Sequence, residues 1–355
     1  MELAQKRLDS LTKPQGSLGV LEDLAVKLAG ISGDPFFKVK KKAVVVMAGD
    51  HGVVEEGVSA FPQEVTVQMV ANFINGGAAI NVLSRHVGAR VNVVDVGVAG
   101  DLASLGDPDS SGDQEGWKEN REVSQGNQHI WRRRVRPGTA NMVKGPAMTR
   151  AEAVAALEVG IEVVSTLVSQ GFNLFATGEM GIGNTTPSSA ILAVLGQISP
   201  EEAAGRGTGL DQAGIARKAE VIRRALEVNS PDPDDAIDVL SKVGGLEIAG
   251  LAGCIIGAAA NRVPIVIDGF ISTAAALIAS RIEPETLDYM IASHVSEEQA
   301  HQKMLEIVGL EPMLRMRMRL GEGTGAALAM NIVEAATKII AEMATFESAG
   351  VSNQG

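Results

Sequence analysis

The sequence predicts a doubly wound α/β fold, a parallel sheet flanked by helices, with a small helical subdomain built from both termini. Short apolar runs recur at 43–48, 90–96, 173–177 and 264–268. They are continuous, not alternating, which marks strands covered on both faces, as in a parallel sheet. Helix-like segments lie between the runs, at 63–87, 150–170, 185–196, 211–229 and 270–281, and strand–helix–strand alternation is the signature of a doubly wound sheet. The ends carry no strand pattern. Residues 1–32 read as helical, and 321–346 form a long Ala/Met/Ile-rich helix after a glycine cluster. Their simplest arrangement packs them together, so 1–35 with 310–355 form the expected subdomain and 36–309 the large domain.

Taken in order, the first strand, Ala43-Val44-Val45-Val46-Met47-Ala48, ends at Gly49-Asp50-His51-Gly52. The second is Arg90-Val91-Asn92-Val93-Val94-Asp95-Val96. Residues 101–130 then interrupt the alternation. They are polar, Pro/Gly/Ser-rich and aperiodic, and read as an exposed loop. Arg132-Arg133-Arg134-Val135-Arg136 follows as a basic run, read first as a solvated face. The third strand ends in Thr177-Gly178-Glu179-Met180-Gly181 and the fourth in Asp268-Gly269-Phe270. Open α/β sheets bind ligands beyond the carboxyl ends of their strands, so three such clusters point to one active-site edge.

Composition narrows the partners. The chain has 355 residues, 45% hydrophobic and 21% charged, enough apolar material for a core. A net charge of −12 opposes broad contact with nucleic acid or an anionic membrane. Forty glycines stand well above the usual ~7% while aromatics are only 3%, which suggests backbone-lined loops around small ligands. The single cysteine, Cys254, sits in a Gly/Ala-rich run and reads as a small buried hydrophobe. No apolar stretch reaches the ~18 residues of a membrane span, and the polar start, Met1-Glu2-Leu3-Ala4-Gln5-Lys6-Arg7, is not a signal peptide; a cytoplasmic protein is expected.

Three glycine clusters could carry chemistry. Gly178-Glu179-Met180-Gly181-Ile182-Gly183-Asn184-Thr185-Thr186-Pro187 follows a strand and opens a helix. Free N–H groups at a helix start and two threonine hydroxyls would cradle a phosphate, although no Gly-Lys-Ser/Thr follows, so this is not a Walker loop. An ordinary tight turn is the alternative. Gly205-Arg206-Gly207-Thr208-Gly209-Leu210 leads to a helix bearing Lys218, which suits a phosphate or simply a helix surface. In Arg319-Leu320-Gly321-Glu322-Gly323-Thr324-Gly325, one carboxylate heads a helix; it is either a general base or an N-terminal helix acid. The five histidines show no zinc spacing, and no nucleophile elbow exists. Residues alone therefore leave open a transferase, a hydrolase using Glu322 or Asp50 to activate water, and a non-catalytic mononucleotide binder.

The ordered set of motifs resembles the nicotinate-nucleotide:5,6-dimethylbenzimidazole phosphoribosyltransferase family. It comprises Thr12-Lys13-Pro14-Gln15-Gly16-Ser17-Leu18-Gly19, Gly49-Asp50-His51-Gly52, Asn75-Gly76-Gly77-Ala78, Gly138-Thr139-Ala140-Asn141, the stretch 178–186, Val243-Gly244-Gly245-Leu246-Glu247, Asp268-Gly269-Phe270, Ser293-His294 and the stretch 318–325. The resemblance implies a Rossmann-like sheet, a homodimer, and phosphoribosyl transfer from nicotinate mononucleotide to 5,6-dimethylbenzimidazole in cobalamin biosynthesis, without cofactor or metal. It makes Glu322 the general base and Glu179 a second active-site glutamate. It places Gly181, Ile182, Gly183, Asn184, Thr185, Thr186 and Lys218 around the mononucleotide phosphate, and Phe61, Pro62 and Leu320 around the aromatic base; Asp268 is also expected at the substrate site. The region after His294, Glu298-Gln299-Ala300-His301, departs from the family's Gly-containing turn, and the 101–130 loop is longer than usual.

Overall fold

A computed structural model describes residues 1–102, 130–205 and 211–352. The polar stretch expected to be a loop falls almost wholly outside these, as does most of the Gly205–Leu210 cluster. Six parallel strands among the described residues form one sheet: β1 (Lys42–Gly49), β2 (Ala89–Gly97), β3 (Ile130–Arg132), β4 (Leu174–Met180), β5 (Ile265–Ile267) and β6 (Met290–Ala292), in the order β3-β2-β1-β4-β5-β6. The order reverses between β1 and β4, whose registers pair Val45 with Thr177 and Ala48 with Met180.

The continuous apolar character of β1 has the expected cause. Ala43, Val45 and Met47 enter the core on one face; Val44, Val46 and Ala48 enter the core on the other. Helices Arg150–Ser169, Thr185–Leu195, Leu246–Ala260 and Phe270–Ile282 cover the first face, and Val65–Ile74, Ala79–Val87 and Thr324–Glu342 the second. Part of the glycine excess serves packing, not ligand loops. A β-carbon on Gly160 would lie 2.0 Å from Gly250 O, so helices Arg150–Ser169 and Leu246–Ala260 approach backbone to backbone.

The structure differs from the sequence expectation in three places. The helix expected over 63–87 is two helices, broken at Asn75-Gly76-Gly77, where Gly76 has φ +76°; glycine adopts that left-handed turn without a Cβ clash. Strands β3 and β6 were not anticipated. Each has three residues at a sheet edge, too short for a periodic signal. Third, the basic run pairs with carboxylates: Arg133 with Glu162, Arg134 with Asp95 and Arg136 with Glu152.

The termini meet. Thr12 N–H donates to Ala344 O (3.0 Å) and Phe346 N–H to Ser10 O (3.1 Å). Ala4, Leu8 and Leu11 share a core with Met330 and Val333 of helix Thr324–Glu342 and with Val44 and Leu174 of the sheet.

Candidate active site

A cavity of about 320 Å³ opens beyond the carboxyl ends of the central strands, the size of a small-molecule pocket. Chain reversal at the β1/β4 boundary leaves that crevice free of a crossover helix. β4 extends further than the apolar run suggested and carries Glu179 as its sixth residue. Its side chain is buried against Asn184, whose amide donates to Oε2, while Oε1 accepts from Glu322 N–H at 3.4 Å.

Glu322 reaches the same cavity on an unusual backbone. Gly321, Glu322 and Gly323 have φ of +86°, +64° and +93°. Left-handed φ is disfavoured for a residue with a β-carbon, and such strain persists only where the surroundings over-determine it. Those surroundings are visible: a β-carbon on Gly178 would lie 2.4 Å from Glu322 O, and one on Gly321 would lie 2.2 Å from Glu179 Oε1. Oε2 of Glu322 accepts the N–H of Ile80 at 3.3 Å. That donor exists because the helix breaks at 75–77 and starts again at Ala79. Asp268 completes the arrangement from below, accepting Gly323 N–H (3.1 Å) and Ala326 N–H (2.9 Å) at the start of helix Thr324–Glu342.

Burial dominates the electrostatics. It lifts the Glu179 carboxyl to about 8, with Asp268 and Glu247 adding repulsion. Burial also raises Glu322, against the opposing Ile80 N–H. Lys218 is fully buried, its Nζ donating to Thr185 Oγ1 (2.9 Å) and Gly205 O (3.1 Å), and desolvation draws its ammonium down to about 8. His301 is held neutral, at about 3, by burial and by His294.

Of the residues singled out from sequence, Glu179, Gly181, Ile182, Asn184, Thr185, Phe61, Leu320 and Glu322 line the cavity. Gly183, Thr186, Lys218, Pro62 and Asp268 do not; Lys218 stands behind Thr185, and Asp268 behind Glu322. Asp50, a conceivable water-activating acid, is also off the cavity, buried with Oδ2 on Ala99 N–H at 2.8 Å. Ser272 and Ser296 in the wall were not singled out from sequence; His294 and Glu298, quoted there without an assigned role, also line it. His294, Ser296 and Glu298 reach it from β6, which ends at Ala292 just before Ser293-His294, and Ser272 from the first turn of helix Phe270–Ile282. Among the described residues, no group of His, Cys, Asp and Glu is arranged to hold a metal ion, and no helix is long and apolar enough to cross a membrane.

The sheet order and the carboxylate-bearing cavity at its reversal define a doubly wound α/β enzyme acting on a small molecule. The phosphoribosyltransferase family model (DBI_PRT) matches residues 1–351. A nicotinate-nucleotide–dimethylbenzimidazole phosphoribosyltransferase from Desulforudis audaxviator is 55% identical over 352 residues, 99% of this chain and 94% of the relative. The enzyme of the same name from Dehalococcoides mccartyi strain BAV1 is 55% identical over 354 residues, covering 100% of this chain and 94% of its own. The crystal structure of CobT from Thermus thermophilus superposes with a TM-score of 0.89 at 43% identity, covering 99% of both chains. The chain belongs to this phosphoribosyltransferase family.

Proposed function

We propose that this protein transfers phosphoribose from nicotinate mononucleotide to 5,6-dimethylbenzimidazole, giving α-ribazole 5′-phosphate and nicotinate in cobalamin biosynthesis. The observation that carries this reading is the strained Glu322 carboxylate, raised by burial and aimed into the same cavity as Glu179. A raised carboxylate is a competent general base. Pyridinium nicotinate is already a good leaving group, so the chain must supply only alignment and proton removal. A benzimidazole nitrogen bonds to the sugar carbon as the bond to nicotinate breaks, and Glu322 takes the ring N–H proton. The 181–186 segment and the start of helix Thr185–Leu195 face the 5′-phosphate, since helix N-termini favour anions. Thr185 carries the influence of Lys218 to it. Glu179, with a carboxyl near 8, is protonated at neutral pH and serves as a hydrogen-bond donor beside the ribose. Asp268 acts through Glu322, by fixing the turn that presents it.

Phe61 and Leu320 form the apolar rim for the benzimidazole; they are 50% and 57% exposed. That open apolar rim supports a homodimer whose second copy covers it. Residues 1–35 and 310–355 act as the helical subdomain that presents Glu322, and the cytoplasm is the expected compartment. Nicotinate release measured with and without dimethylbenzimidazole tests the reaction. Release should require the acceptor, and the product should be α-linked by NMR, because a single displacement inverts the sugar carbon. Acceptor-independent release would instead mean a hydrolase.

A further inference from the structure

Behind the cavity wall stands a polar cluster that the reaction derived above leaves unused. His51 lies just past the end of β1, and its Nε2 is 2.9 Å from Glu247 Oε1. Both side chains are buried, at 1% and 0% exposure. Glu247 is set in the first turn of helix Leu246–Ala260. A β-carbon on Gly245 would come within 2.5 Å of His51 Cε1, so the ring is enclosed on that side. The backbone beside it is clamped as well. Gly52 N–H donates to Thr139 O at 3.1 Å, and a β-carbon on Gly52 would lie 2.6 Å from the 140–141 peptide.

The cavity wall packs on one side of this cluster. A β-carbon on Gly181 would lie 3.2 Å from His51 Nε2 and 2.3 Å from Gly49 O, so the wall rests directly on the imidazole edge. Ile182 N–H donates to Thr66 Oγ1 at 3.2 Å, and the Thr66 hydroxyl is hydrogen-bonded to the Asp50 carboxylate. Asn184 N–H donates to Gly181 O (3.1 Å), and the Asn184 side chain holds Glu179. A continuous series of contacts thus runs from Glu247 through His51 to the Gly181 backbone, Asn184 and Glu179. Stability alone does not account for a buried ion pair here, because well-packed apolar residues of similar volume do as well or better. A fixed polar support for a glycine-built wall does account for it.

We propose that His51, held by Glu247, is a positioning residue that fixes the 181–184 wall, and with it Glu179, in the geometry that receives the anionic half of the mononucleotide. The inference rests on the phosphoribosyl-transfer reading. Burial by itself would discharge the imidazole, but the Glu247 carboxylate, its hydrogen bond and Asp50 raise it above its ordinary value, consistent with a charged, directional contact.

The test uses steady-state kinetics of His51→Leu and His51→Gln. Misplacement of a substrate-holding group by about 1 Å costs up to about a hundredfold. His51→Leu should therefore raise KM for nicotinate mononucleotide at least about tenfold, with KM for dimethylbenzimidazole near the wild-type value. His51→Gln retains a donor toward Glu247 and should recover most of the loss. His51→Leu strands a buried carboxylate and can unfold the chain, so the His51→Leu/Glu247→Leu double variant, which removes both members of the pair, should show the same selective rise. Folded variants with both KM values unchanged, or both raised equally, overturn the proposal. Wild-type protein that releases no nicotinate overturns the reaction instead. Calorimetric binding of the mononucleotide to wild type and variants then still decides the role of His51: equal affinities reject it.

Discussion

Glu322 holds its carboxylate in the cavity only because three successive left-handed residues turn the chain there. Its role as base predicts that Glu322→Gln lowers kcat by about 10² or more, leaving KM for the mononucleotide little changed; near-normal turnover in a stopped assay would reject the role. Glu179 behaves differently. Its folded carboxyl near 8 exceeds the ordinary 4.5, so the native state retains a proton that the unfolded chain has lost between these values. Stability then falls as pH rises through that window. Glu179→Gln removes the titration, so its melting temperature should gain on wild type between about pH 5 and about pH 8, by a few degrees. An offset that does not change with pH would count against the buried neutral acid. Lys218 carries its pH dependence into binding. Its ammonium loses charge as pH passes about 8, so mononucleotide affinity should fall there. Lys218→Met should bind the mononucleotide roughly 2- to 10-fold more weakly, since the charge acts through the Thr185 hydroxyl and not by direct contact, and should lack that pH limb in calorimetric titration.

At the scale of elements, the site depends on interruptions. A single helix over 63–87 would have no free N–H near Glu322; the break at Asn75-Gly76-Gly77 creates the Ile80 donor. Likewise the start of helix Thr324–Glu342 is held by Asp268, beyond the end of β5, which accepts the N–H of the cap residue Gly323 and of Ala326 in the first turn. The turn before it tolerates little. Gly323 has φ +93°, and a β-carbon would meet Val44 Cγ1 at 2.8 Å and Thr177 O at 2.9 Å. Gly323→Ala should therefore both strain the backbone and displace Glu322, with kcat falling more than about tenfold for an ångström-scale shift. Unchanged kcat in the folded variant would mean that the turn does not set the position of the base.

Across the whole molecule, the termini and the sheet share one packing system. Arg7 donates through Nη2 to Met343 O at 2.8 Å, at the far end of the helix that begins beside Glu322. That helix has 19 residues, so the contact lies roughly 28 Å from the base. Leu8→Ala, at a fully buried position in this far contact, should lower stability by about 2–5 kcal/mol, as large-to-small core changes do. Its kcat at 25 °C should stay within about twofold, since a rigid helix separates the vacated space from the site. A large fall in kcat without loss of stability would show that the terminal packing tunes the active site.

The sequence by itself determined the fold class, because continuous apolar runs such as 43–48 are incompatible with a sheet open to water on one face. It also determined which loops hold the chemistry, since polar glycine clusters after strands have one natural edge to occupy. Only the tertiary structure decided which members of those clusters meet. Glu179 and Glu322 are 143 positions apart, yet a backbone N–H of one reaches the carboxylate of the other. Lys218 and Asp268 share the neighbourhood but stand one layer back, a distinction that periodicity cannot carry because it encodes faces, not depth. The place of Ser296 and Glu298 in the wall was not legible because a three-residue edge strand has no pattern to read. The meeting of His51 and Glu247 is likewise tertiary: they are 196 positions apart, one just past β1 and the other in the first turn of helix Leu246–Ala260.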